Sequence, residues 1–394
     1  MGCCAVRAEE ANHVIPSQRH LFDIPEDRAY LNCGYMGPLS HRVLEAVNRG
    51  AARKAQPWTV VSDDFFDETE QARKLFAQLI DASVNDVAVV PAASYGIATA
   101  ARNLPISEGQ RIIVLKDQFP SNVYGWRELA AANGAEVVTV ERGQDGDWTR
   151  VLLDAIDERT ALAGMGNLHW TDGSLIDLVA VGARLREVGA ALVLDLTQSL
   201  GALPFSIREV KPDFMVCAAY KWMLGPYTIG FMYVDPKWQQ GEPLEQSWMT
   251  RSNARDFAGL VNYVDDMQPG ARRYDMGEFS NFALMPGAVA AMEQLLEWTP
   301  EATAETLRAR NRDIAERLSE LGLKAGPESQ RAPHFLGMSF PDAPPPDLVS
   351  RLAVRNVHIS VRGTSMRVTP HLYNTDTDVD MLIDALKAIL QGRG

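Results

Sequence analysis

Apolar and polar positions change their period along this chain, and the changes mark its elements. Near Ser40 the positions Val43, Leu44 and Val47 repeat at helical spacing, and Leu75, Phe76 and Leu79 share one face of a second helix over about 65–80. Short, continuously apolar runs then alternate with helical stretches. Val87-Ala88-Val89-Val90 precedes a helix from Ser94 to Asn103, and Arg111-Ile112-Ile113-Val114-Leu115 precedes one from Val123 to Asn133. Glu136-Val137-Val138-Thr139-Val140 leads towards Val151–Ile156, and Asp177–Val188 leads into the run Ala190–Leu194. Phe214–Ala219 and Phe231–Val234 follow. Runs that are apolar at every position read as strands buried on both faces. Their alternation with helices predicts right-handed βαβ units and a mostly parallel sheet, an α/β fold.

After Val234 the pattern loosens into a polar and aromatic stretch over 235–281, followed by helices over 286–298 and about 301–321. The remainder mixes short strands and helices, with Pro344-Pro345-Pro346 ahead of one of them, and predicts a smaller α+β domain. The expected divisions are 1–35, an N-terminal arm or part of the small domain; 36–290, the large domain; and 291–394, the small C-terminal domain. No internal repeat or low-complexity tract interrupts them.

With 394 residues, 46% apolar and 23% charged, the chain has an ordinary globular composition and length enough for two domains. A formal net charge of −13 argues against nucleic acid or an anionic membrane as a general partner, while leaving room for a local basic pocket. Cys3, Cys4, Cys33 and Cys217 show neither metal nor disulfide spacing, which predicts a reducing compartment and a cytoplasmic location. No apolar stretch approaches the ~20 residues of a membrane span, and no signal-peptide pattern opens the chain. Gly2 beside two cysteines has the look of an acylation signal, but Val6 stands where that signal needs Ser or Thr.

Two residues then name a chemistry. Asp195 ends one apolar run and Lys221 lies just beyond the next, at the carboxyl ends where open α/β sheets hold ligands. A carboxylate and an amine so placed suit pyridoxal phosphate. The amine forms a Schiff base, and the carboxylate keeps the pyridine nitrogen protonated so that the ring can act as an electron sink. Alone, the first would be an ordinary turn-capping residue and the second a surface lysine. No Gly-x-Gly-x-x-Gly follows a strand, and no His-Glu-x-x-His or Cys/His set is present, so neither a dinucleotide fold nor a metal site is expected.

Asp195-Leu196-Thr197-Gln198, followed by Tyr220-Lys221-Trp222-Met223-Leu224-Gly225-Pro226, resembles the class V aminotransferases. These belong to the fold-type I pyridoxal-phosphate superfamily, with cysteine desulfurases, kynureninase and isopenicillin N epimerase-like proteins. The resemblance runs from Tyr30-Leu31-Asn32 to the final helix. It implies Lys221 as the Schiff-base residue, Asp195 at the pyridine nitrogen, Gln198 at the phenolic oxygen or Schiff base, and Tyr220 at the phosphate.

Other segments extend it. Pro91-Ala92-Ala93-Ser94-Tyr95-Gly96-Ile97 lies between a strand and a helix, where free N–H groups and the helix dipole suit a phosphate. Ser94 and Tyr95 are implied there, and a simple N-cap role for Ser94 is compatible with it. Phe119, in Phe119-Pro120-Ser121-Asn122, is implied as an aromatic face on the cofactor ring, the alternative being a core phenylalanine. His169, in the loop 167–173, is implied near the phenolic oxygen or substrate, the alternative being a satisfied structural histidine. Trp248 and Gly277–Asn281 match positions where relatives touch the phosphate, often from a neighbouring subunit. Glu278 stands where the family commonly has Thr, so Asn281 or Ser280 carries that expectation.

Arg367, in Met366-Arg367-Val368-Thr369-Pro370-His371, is implied at the substrate α-carboxylate, with Asn32 as a further substrate contact. Arg362 reads as a solvated loop arginine. The resemblance also implies a homodimer. The leading expectation is an aminotransferase acting on an α-amino acid, with Lys221 as the proton shuttle. A C–S β-lyase or cysteine desulfurase-like enzyme comes second, and a non-catalytic cofactor-binding protein third. The region 324–340 contains no cysteine, which disfavours persulfide chemistry.

Overall fold

The structure, a computed structural model, describes residues 14–392, so Gly2, Cys3 and Cys4 lie outside the described residues. Strand β1 (Ala29–Tyr30) precedes helices α1 (His41–Arg53) and α2 (Asp67–Leu79). The alternating region follows as β2 (Val87–Val90), α3 (Ala93–Asn103), β3 (Arg111–Leu115), α4 (Tyr124–Asn133), β4 (Glu136–Val140) and α5 (Trp148–Ala155). It continues as β5 (Thr160–Met165), α6 (Leu178–Glu187), β6 (Ala191–Asp195), α7 (Ile207–Val210), β7 (Phe214–Ala218) and β8 (Gly230–Val234).

These strands form one sheet in the order β2-β8-β7-β6-β5-β3-β4. All run one way except β8, which is antiparallel to both of its neighbours. The apolar runs split between two cores by strict alternation. Val87, Val89, Ile113, Leu115, Leu192 and Leu194 pack with α2, α5 and α6. Ala88, Val90, Ile112, Val114, Ala191 and Val193 pack with α3 and α4 on the other face.

Strand β5 has no counterpart among the expected elements. Its sequence, Thr-Ala-Leu-Ala-Gly-Met, is poor in the β-branched and aromatic residues that signal a strand. Packing accounts for the small residues: a Cβ on Gly164 would come within 2.5 Å of the Trp126 indole nitrogen.

Helix α8 (Met285–Trp298) packs on α1 and α2, and its buried residues as far as Leu295 belong to the first core. Beyond it come α9 (Pro300–Ser319), β9 (Lys324–Ala325), β10 (Leu336–Ser339) and α10 (Leu348–Ala353). The described chain closes with β11 (Val357–His358), β12 (Ser360–Arg362), β13 (Ser365–Val368) and α11 (Asp376–Leu390). A small sheet of order β12-β13-β10-β9 shares a separate core with α9 and α11. The N-terminal segment joins this second unit. β1 pairs in parallel with β11, and Ala29 and Leu31 lie in its core.

Candidate active site

The carboxyl ends of β2, β3, β5, β6 and β7 converge on a cavity of about 260 Å³, whose lining includes Ala92, Ser94, Phe119, Asp195, Tyr220 and Lys221. A neighbouring cavity of about 410 Å³ shares Phe119, Trp170, Gln198, Tyr220, Lys221 and Tyr227, and opens on Arg362 and Arg367. The two form one cleft with a waist at the lysine. The sheet supplies the floor, and the hairpin β12–β13 supplies the far wall.

Asp195 continues the alternation of β6 and so faces the α3 side, where the cleft lies. Its Oδ1 accepts a 3.0 Å hydrogen bond from the Thr197 N–H. Burial raises its pKa, and the Thr197 bonds and the Lys221 charge only partly oppose this. A carboxylate in such a place is short of a cationic partner.

Lys221 is only 7% exposed, and its Nζ lies 5.5 Å from the Phe119 ring centre and 5.4 Å from that of Tyr220. Burial lowers its pKa to about 8, with Asp195 acting to raise it and Arg367 to lower it. The backbone around it is tightly turned. Leu224 and Thr228 adopt left-handed φ angles of 52° and 64°, and the Gly225 N–H returns to the Ala219 carbonyl at 2.8 Å. Non-glycine residues held there concentrate at functional sites. Gly37 closes the other side. Its N–H donates to the Tyr220 carbonyl at 2.8 Å, and any Cβ on it would collide with the Lys221 carbonyl oxygen.

At the opposite end of the first cavity, α3 begins with Ala92 as its N-cap and no side-chain cap. Ser94 is therefore not the cap; it is exposed in the first turn, beside free N–H groups that point at the cavity. Gly96 lets α3 approach β7 closely, since a Cβ there would meet Val216 at 2.7 Å.

Gln198 lines both cavities, with its amide donating to the Gly34 carbonyl at 3.0 Å and accepting from the Trp222 indole at 3.2 Å. One amide N–H remains for a ligand. Arg367 is 1% exposed. Its Nε donates to Ser360 Oγ at 3.0 Å and its Nη1 to the Trp170 carbonyl at 3.0 Å. Burial, and then Arg362, lower its pKa to about 9.

Several expected residues lie elsewhere. Tyr95 lines neither cavity; its ring packs on the cores and its hydroxyl is engaged by Glu245. Tyr95 lies roughly 100° further round the helix than Ser94, which turns its ring to the cores. His169 is turned away as well. It stacks on Trp148 at 5.1 Å, and its ring nitrogens meet Thr171 Oγ1 at 2.6 Å and the Lys116 carbonyl at 2.9 Å. Burial lowers its pKa, consistent with a neutral structural histidine. The next residue, Trp170, enters the cleft in its place, edge-on to Phe119 at 5.3 Å.

Trp248 packs among Phe65, Phe66 and Phe257, and Asn281 Oδ1 accepts the Leu284 N–H at 3.0 Å ahead of α8. Ser280 contacts Met249. None of the three lines the cleft of its own chain. Asn32 is buried beside Thr369, with Oδ1 lacking a hydrogen-bond partner, and it too lies outside the lining. Arg362 is a half-buried strand residue at the cleft, not a solvated loop residue, and its guanidinium lies 5.9 Å from the Trp170 ring centre. Trp170, Tyr227 and Arg362 are thus site residues that sequence reasoning passed over. For Trp170 the available signal was its position one residue beyond His169 in the same loop.

These residues fit the cofactor that the resemblance implies. The half-buried Asp195 carboxylate calls for a cationic N–H, the open N-terminus of α3 calls for an anion, and Lys221 offers the amine between them.

The family model described as Aminotransferase class-V matches residues 41–382. The chain is 24% identical over 366 residues to an uncharacterized aminotransferase, YcbU, of Bacillus subtilis (strain 168), covering 89% of this chain and 94% of the relative. It is 22% identical over 379 residues to isopenicillin N epimerase of Streptomyces clavuligerus, covering 91% and 94%. Among solved structures, it resembles a cysteine desulfurase from Thermococcus onnurineus NA1, with a TM-score of 0.82, 16% identity and 96% and 99% of the two chains covered. It also resembles the cystine C–S lyase C-DES in complex with its product cysteine persulfide, with a TM-score of 0.82, 18% identity and 92% and 97% covered. At these identities the structural likeness speaks for the fold.

Proposed function

The chain belongs to the aminotransferase class-V family, and from that premise we propose that it is a pyridoxal-phosphate enzyme transferring the amino group of an α-amino acid. One observation carries this reading: a buried amine, Lys221, and a half-buried carboxylate, Asp195, enter one cleft whose far end holds a buried arginine, Arg367.

Bound there, pyridoxal phosphate supplies an aldehyde for amines and a ring that withdraws electrons from bonds at the substrate α-carbon. Asp195 would accept the pyridinium N–H, and Ser94 with the first N–H groups of α3 would hold the phosphate. Phe119 and Trp170 wall the cleft against water, and Arg367, braced by Ser360 and the Trp170 carbonyl, orients the α-carboxylate. Lys221 Nζ, with a pKa near 8, is suited to take a proton from the substrate α-carbon.

Two measurements test the proposal. Borohydride reduction of the holoprotein fixes the pyridoxyl group on the peptide containing Lys221; a label on any other peptide overturns the assignment. With an amino donor and a keto-acid acceptor, a new amino acid accumulates.

A second reading, a C–S β-lyase, has the likeness to the cystine C–S lyase in its favour. It predicts release of ammonia, a keto acid and a sulfur product, with no amino group passed to a keto-acid acceptor. Persulfide carriage by the protein has less support. Among the described residues the free cysteines are Cys33 and Cys217, both buried, with burial pushing their thiols up.

The homodimer is part of the same proposal. Tyr35, Met36 and Tyr227 are exposed aromatic or apolar groups at the mouth of the cleft, and Trp248 and Asn281 lie outside the cleft of their own chain. Sedimentation of the cofactor-loaded protein as a dimer is expected.

A further inference from the structure

We propose that the substrate carries a second anionic group on its side chain, and that Arg362 binds it while Arg367 holds the α-carboxylate. This rests on the amino-acid chemistry proposed above.

The outer cavity is lined by three cationic side chains, Lys221, Arg362 and Arg367, and by no acidic one. Lys221 has Asp195 in the adjoining cavity, but among the described residues neither arginine has a carboxylate partner, which stands out in a chain of net charge −13. Among the described residues, each of the two guanidinium groups bonds only neutral groups. Arg367 uses Ser360 and the Trp170 carbonyl, and Arg362 uses the Val361 carbonyl at 2.8 Å. Asp172, in the same loop as Trp170, pairs with Arg142 at 2.5 Å, and Asp117, whose carbonyl accepts the Trp170 indole N–H, lines neither cavity.

The Trp170 indole holds both arginines. Their guanidinium carbons lie 5.9 Å and 5.8 Å from its ring centre. Both side chains come from the single hairpin β12–β13, so their spacing is set by paired strands. One anion would neutralise one of them and leave the other facing a cleft that contains the lysine. The cofactor phosphate does not serve as the second anion, because Ser94 and Ala92 line only the inner cavity and the two arginines only the outer one. A cavity of about 410 Å³ leaves room for an acidic side chain.

The test uses the holoenzyme and isothermal titration with unreactive pairs matched in shape: glutarate against its monoamide glutaramate, and succinate against succinamate. The dianion of one pair is expected to bind about tenfold to hundredfold more tightly than its monoamide, the range for a charged hydrogen-bonded contact. That ratio falls towards one in Arg362→Gln and is partly retained in Arg362→Lys, which keeps the charge without the planar fork. A phosphono analogue of glutarate, run alongside, distinguishes a carboxylate from a phosphate-like group.

Equal affinities within both pairs and for the phosphono analogue overturn the proposal. So does a dianion preference that survives in Arg362→Gln. Failure of the underlying reading looks different, since no amino acid of either kind then perturbs the visible absorbance of the cofactor. If only the second-anion inference fails, neutral amino acids perturb it as well as acidic ones.

Discussion

At the scale of single residues, the lysine amine is governed by its burial and by charged neighbours of known sign. Burial lowers the Lys221 pKa to about 8, so the free amine accumulates as pH rises through that value. The rate of cofactor uptake by the apoprotein is expected to rise with the same midpoint, followed by visible absorbance. Asp195 stabilises the protonated amine and Arg367 opposes it. Asp195→Asn should therefore move the midpoint down, and Arg367→Gln should move it up. Opposite displacements in the two variants are the check; equal ones would refute the coupling. Lys221 and Asp195 were legible in the sequence because strand-end residues after apolar runs have few places to go. His169 was not, because a single residue's turn in a loop reverses which neighbour faces the cleft, and only the Trp148 stack and the two ring hydrogen bonds decide it. Arg362 was passed over because its burial comes from an indole distant in sequence.

Among the elements, the parallel sheet was readable because both of its faces are buried, which makes strands such as β3 and β6 apolar at successive positions. β5 was hidden for the converse reason: its small residues make room for Trp126 and carry no strand signature of their own. The same kind of close approach fixes α3, whose first turn carries Ser94. Gly96→Ala places a methyl within 2.7 Å of Val216 and must lift the helix from β7. Overpacking of this sort costs about 1–3 kcal/mol. Gly96→Ala is accordingly expected to lower the urea midpoint and weaken cofactor affinity together, whereas Ser94→Ala weakens affinity with little change in the midpoint. Spectroscopic cofactor titration beside urea unfolding distinguishes the two.

For the molecule as a whole, a buried ionic clamp ties α2 to the segment before Asp275. Arg73 is fully buried against Asp275 at 2.9 Å and also meets Glu70, which in turn holds Arg272 at 2.6 Å. Burial alone would raise the pKa of Glu70, but the Arg272 bond and the nearby Arg73 bring it down to about 2, against an ordinary value of 4.5. A depressed carboxyl contributes stability above its unfolded value and loses it as pH falls through the folded one. The difference in urea midpoint between the wild type and Glu70→Gln should therefore hold steady above pH 4.5 and shrink towards pH 2. A difference independent of pH would rule out this role. One further consequence follows from β1, whose partner β11 lies more than three hundred residues downstream. A nascent polypeptide leaving the ribosome must keep Ala29 and Leu31 uncommitted until Val357 has emerged. The large sheet can assemble during translation, but the wall bearing Arg367 can close only once synthesis is nearly finished, so the cleft is completed last in the protein's manufacture.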